Sequence, residues 1–90
     1  MIRGIKRLFW IYEPGYEYWV YLKDIKVPIK YKESRVRREK WLRKLAHWRR
    51  TGEFESKILL HRDFSLVDGF SSVKIAYVNG VEKVPVYFVD

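Results

Sequence analysis

The sequence predicts one small α+β domain, and three observations carry that reading. Ninety residues with 48 % apolar and 18 % aromatic side chains can close a single core and no more. Near the amino end, two stretches dense in β-branched and aromatic residues flank a turn signal. In the middle, apolar residues recur at helical spacing among cations.

The elements follow in order. Ile5-Lys6-Arg7-Leu8-Phe9-Trp10-Ile11-Tyr12 reads as a strand. Glu13-Pro14-Gly15-Tyr16 reads as a turn, with Pro14 presetting φ and Gly15 permitting a positive one. Tyr18 to Leu22 reads as the returning strand, so residues 1–22 are expected to form an N-terminal β-hairpin. Lys23 to Pro28 continues as extended chain, because the residue before proline avoids the α region.

A helix is expected over about residues 35–50, N-capped by Ser34 and stopped at Thr51-Gly52. Trp41, Leu42, Leu45 and Trp48 make its apolar stripe, and cations fill most of the rest. Glu39 stands four residues before Arg43, at the spacing of a helical ion pair. Lys57 to His61 reads as a strand, Arg62-Asp63 as a turn, and Phe64 to Val67 as a short strand.

Two readings stay open for the last third of the chain. Ser72 to Tyr77 and Val81 to Phe88 alternate well enough to form a hairpin on Asn79-Gly80. Alternatively Asp68 or Ser71 caps a helix over about 70–79, with Phe70, Val73, Ala76 and Tyr77 on one face and Gly80 as its stop. Pattern favours the hairpin, while Pro85 argues against it, since a paired central strand lacks a donor there.

Charge and composition bound the function. Nineteen Lys and Arg against eleven Asp and Glu give +8, which favours polyanions such as DNA, RNA or nucleotide phosphates. The absence of cysteine removes disulfides, thiol nucleophiles and iron–sulfur clusters. Only His47 and His61 are histidines, so no metal site and no cofactor other than a nucleotide are expected. No run of 18 apolar residues occurs, so no membrane span or membrane partner is expected, and a cytoplasmic location is. The lack of Gln and the single Asn79 suit a thermophilic source.

Leu66-Val67-Asp68-Gly69-Phe70-Ser71-Ser72, followed by Gly80 and Val84-Pro85-Val86, resembles the signature of the ParB/sulfiredoxin-like superfamily. The upstream order of Asp24 to Pro28, a charged helix, Thr51-Gly52 and the Lys57 to Leu60 strand also fits, so the resemblance covers about residues 20–90. It implies a small α+β domain with a mixed sheet, and a helix rather than a hairpin at 70–79. It also implies a phosphate or nucleotide site at Asp68, Gly69, Ser71 and Ser72, where a helix N-terminus faces negative charge. In ParB proteins the matching loop carries arginine; here that position falls on Ser71 or Ser72. Sulfiredoxin chemistry requires a Cys, which this chain lacks. With no helix-turn-helix or dimerisation segment in the ninety residues, a minimal stand-alone domain is expected.

The expected function is a non-catalytic module binding a polyanion, either nucleic acid or nucleotide, in a DNA-linked process such as partition, replication or transcription control. Arg35, Arg37, Arg38, Lys40, Arg43 and Lys44 are the candidate phosphate contacts. One alternative is a small nucleotide-dependent enzyme, kinase- or nuclease-like. The other is a protein-interaction or inhibitor module using the aromatic hairpin, where Trp10, Trp19, Tyr12, Tyr16, Tyr18 and Tyr21 gather. His61 and Asp63 form the one candidate acid–base pair, and a surface histidine is the plainer reading.

Overall fold

The structure, a computed structural model, describes residues 12–33 and 37–90. β1 (Glu17–Tyr21) follows a turn in which Gly15 has φ 89°. Its alternation is plain: Val20 is buried, while Trp19 and Tyr21 stand on the other face. A 3-10 turn (Leu22–Asp24) ends it, and the extended chain beyond bridges Lys26 to Ser65. α1 (Ile29–Glu33) comes next, then α2 (Arg38–Thr51), closed by Gly52 in the left-handed region at φ 75°. β2 (Ile58–Leu60), β3 (Leu66–Asp68), α3 (Phe70–Val78) and β4 (Lys83–Phe88) complete the order.

The sheet is mixed, in the order β1-β4-β2-β3. β2 and β3 are antiparallel, as a short turn requires. α3 then carries the chain past β2, so β4 lies parallel to β2 and antiparallel to β1. The inward faces of the strands meet α3 in one apolar cluster built on Val20, Ile58, Leu60, Val73, Ala76 and Phe88. α2 packs on α3.

Several expectations need correction. Of the two readings for the last third, the helix over 70–79 that the resemblance implies is the one observed, followed by β4; the hairpin on Asn79-Gly80 that pattern alone favours does not form. α3 is buried on most sides, at Ser71, Ser72, Val73, Ile75 and Ala76, so its one-face signal is faint. Tyr77, assigned to its inner face, is 78 % exposed. The cap of α3 is Gly69 rather than Asp68 or Ser71, and no side chain caps it. α2 starts at Arg38 with Arg37 as its cap, three residues after the expected Ser34; Ser34 itself lies outside the described residues. α1 was not expected. Its signal is Pro28, which cannot extend a ladder but can open a helix, and whose carbonyl accepts the Tyr31 N–H at 3.0 Å.

The first hairpin strand, residues 5 to 12, lies almost wholly outside the described residues; among those described, β1 pairs with β4. Phe64 belongs to the β2–β3 turn, with φ 72°, rather than to β3.

Pro85 sits in a central strand, against expectation, because the neighbouring ladder stops short of it. Pairing with β2 begins at Val86. Val89 N–H donates to the Leu60 carbonyl, so the two-residue period points the Pro85 nitrogen toward β2 as well, beyond its end. The next carbonyl along, that of Ser56, accepts from Ser72 Oγ instead.

Candidate functional site

β3 delivers the chain to α3 through Asp68-Gly69. Gly69 has φ 92° and ψ 26°, and its backbone lies hard against the start of β2. The Asp68 carboxylate accepts the Gly69 N–H at 2.8 Å. The Gly69 carbonyl accepts the N–H groups of Ser72 and Val73. No acidic residue occupies the first turn of α3 itself, so the carboxylate beside its positive end is that of Asp68, just before the cap.

The two serines of this turn face inward. Ser72 is 1 % exposed and donates to the Ser56 carbonyl. Ser71 is 7 % exposed, and its hydroxyl accepts from Lys44 Nζ at 3.0 Å. Lys44 Nζ also donates to Ser56 Oγ at 2.6 Å. Two sets of sequence candidates therefore meet at one point. Lys44, expected among nucleic-acid contacts, crosses to the head of α3 and touches Ser71, expected among phosphate contacts.

Lys44 is 7 % exposed and stands where Leu42 was expected. The inward stripe of α2 runs Trp41, Lys44, Leu45 and Trp48, of which Lys44 is buried and the other three half-buried, and Leu42 is 49 % exposed. Positions 41, 44, 45 and 48 follow helical spacing more closely, so the signal was present in the numbering and masked by residue type. Among the described residues no carboxylate lies within ion-pair distance of Lys44. Burial, and next the Lys40 charge, hold its pKa below the usual lysine value, with Glu55 and Asp68 pulling the other way.

The ammonium is therefore worse off folded than in water. Between its lowered folded pKa and 10.5 the unfolded chain binds more protons, so this group makes stability rise with pH across that alkaline window. Lys44→Met keeps the stem and removes the charge. The variant is expected to gain about 1 kcal/mol at neutral pH, or roughly 4–8 °C in melting temperature, and to lose the alkaline rise. Thermal melts of both proteins at pH 7 and above pH 9 check this; a lower melting temperature for the variant at pH 7 contradicts it.

The remaining candidates lie outward. Arg37, Arg38, Lys40 and Arg43 are exposed, as are Arg49 and Arg50 in the last turn of α2; Arg35 lies outside the described residues. Arg43 pairs with Glu55 at 3.1 Å, not with Glu39. Trp48 stacks on Phe54 at 6.2 Å, and Lys74 Nζ stands 5.3 Å from the Trp41 ring centre. His61 Nδ1 lies 2.9 Å from Asp90 Oδ2 rather than pairing with Asp63. Asp63 instead accepts from the Ser65 hydroxyl and N–H, which lower its pKa. The His61 contact, with the Arg62 N–H, lowers that of Asp90.

No protein-family model matches the chain, and no curated protein matches it. Among solved structures it is similar to a crystal form of a Pnob8-like ParB-N domain, with a TM-score of 0.68 over 81 % of this chain at 16 % identity. This chain spans 29 % of the length of that one. The fold is thus ParB-N-like: a small α+β unit with a mixed four-stranded sheet, as the Asp68-Gly69 to Val84-Pro85-Val86 resemblance implies. Among the described residues no helix is long and apolar enough to cross a membrane.

Proposed function

We propose that this chain is a non-catalytic polyanion-binding module and that the cationic face of α2 binds nucleic-acid phosphates. A ParB-N-like fold fits a DNA-partition-related role. The observation that carries the reading is the exposed set of Arg37, Arg38, Lys40, Arg43, Arg49 and Arg50 around the outward side of α2, of which only Arg43 has a carboxylate partner among the described residues. Such uncompensated cations raise the local concentration of a polyanion and release its counterions on contact.

The test is fluorescence anisotropy with a labelled DNA duplex at two salt concentrations. Four phosphate contacts predict a loss of about 100-fold or more in affinity between ~50 and ~200 mM salt. Arg37→Glu with Arg38→Glu is expected to weaken binding at least about ten-fold at the lower salt and to flatten that dependence. Binding that ignores both salt and charge reversal defeats the reading.

A second reading, a nucleotide phosphate at the head of α3, is favoured by the Lys44 ammonium beside Ser71. Since the hydroxyls of Ser71 and Ser72 turn inward, backbone near Gly69 would supply the donors and Asp68 would border the phosphate. Calorimetric titration with nucleoside triphosphates tests it, with Lys44→Met expected to abolish any heat of binding.

A further inference from the structure

The outer face of the sheet presents aromatic rings and lysines together. Val20, Val84, Val86 and Phe88 point into the core, so Trp19 and Tyr21 of β1 and Lys83, Pro85 and Tyr87 of β4 share the opposite face. Trp19 is 63 % exposed and Tyr21 44 %. The register places Trp19 across from Pro85 and Tyr21 across from Lys83. Trp19 and Tyr21 are two residues apart on one strand, roughly 6.6 Å along it. Tyr87 is the diagonal neighbour of Trp19 across the pair, roughly 7–8 Å away.

Cations stand at the rings. Lys83 Nζ is 4.8 Å and Lys23 Nζ 5.5 Å from the centre of Tyr21, and Lys57 Nζ is 4.8 Å from that of Tyr87. A carboxylate intrudes as well: Glu17 accepts from the Tyr87 hydroxyl at 3.1 Å, beside the three lysines at these rings.

We infer that this face binds single-stranded nucleic acid, with bases stacking on Trp19 and Tyr21 and phosphates meeting Lys23, Lys57 and Lys83. Rings about 7 Å apart match the separation of successive bases in an extended single strand, and the lysines stand where a backbone threading between those bases would pass. A duplex keeps its bases stacked inside and offers the rings nothing. A purely apolar protein partner would have to strip water from three ammonium groups. The surface is separate from α2, which packs on α3 on the core side of the sheet, and the inference does not depend on the role proposed for α2.

The experiment compares labelled dT12, U12 and a short duplex by fluorescence anisotropy, using the full chain. Trp19→Thr keeps a β-branched residue in the strand while removing the ring, and Trp19→Phe restores a stacking surface. Trp19→Thr is expected to weaken dT12, U12 or both at least about five-fold, with Trp19→Phe recovering most of the loss and duplex binding unchanged. The probe affected identifies the sugar the face accepts. Tyr77→Ala, an exposed ring on α3, serves as the control. Charge reversal on α2 should weaken duplex and single strands alike, so failure of one surface is distinguishable from failure of the other. The inference is overturned if the wild-type chain binds neither single strand, or if Trp19→Thr leaves both within two-fold. It is equally overturned if Trp19→Thr weakens the duplex as much as the single strands, or if it converts an oligomer to a monomer.

Discussion

Gly69→Ala should unfold much of the population at temperatures where the wild-type chain is folded. Two effects add at this position. The backbone sits at φ 92°, where an L side chain costs about 1–3 kcal/mol. A Cβ there would also lie 2.4 Å from the Lys57 carbonyl oxygen and 2.8 Å from the Ile58 Cα, both backbone atoms of the strand entrance. Relieving that overlap moves β2 or α3 and costs about 1–3 kcal/mol more. A combined loss of roughly 2–6 kcal/mol is a large share of the ~5–15 kcal/mol that holds a typical domain together. Gly52→Ala is the matched control: its φ is 75°, but no atom waits within 4 Å. Urea denaturation of the three proteins separates strain from collision. If Gly69→Ala loses no more stability than Gly52→Ala, α3 does not begin as tightly against β2 as described.

Phe88→Ala is expected to be the most damaging truncation in the core. Phe88 is 2 % exposed, at the end of the central strand. Its ring lies 4.6 Å from that of Tyr12, 5.4 Å from Phe64 and 5.7 Å from Tyr18. Truncation strands these partners around a cavity and should cost about 3–5 kcal/mol. Phe88→Leu keeps most of the volume and should cost less than about 1.5 kcal/mol. Equilibrium unfolding in urea reads both values, and a loss below ~1 kcal/mol for the alanine variant would show that the ring cluster contributes little.

The same cluster shows where sequence reading stops. Tyr12 and Tyr18 flank one turn, but Phe64 and Phe88 come from distant segments, and nothing in local spacing brings them to that pair. Phe64 reaches the cluster from a left-handed turn position, a conformation that local preference alone argues against. α3 was ambiguous for a related reason: a short helix buried on most sides has no polar face to reveal its period, so an alternating reading competes with it. The candidate site was legible in part. Asp68 and Gly69 stand at the strand-to-helix junction as the resemblance implies, whereas the inward turn of Ser71 and Ser72 depends on Ser56 and Lys44, which arrive from other elements.

By itself the sequence determined the helix stops at Gly52 and Gly80, the Gly15 turn before β1, the cationic character of α2 and the Asp-Gly junction. Each rests on the conformational range or charge of a few neighbouring residues, which act the same way in any fold. The tertiary structure alone decided that Lys44 lies buried against Ser56 and Ser71, that Pro85 occupies a central strand and that Trp19 shares a face with Tyr87. A buried ammonium is tolerated only because distant hydroxyls reach it, and a proline only because the next strand ends before it. Such outcomes depend on what lies across the gap, which no local pattern records.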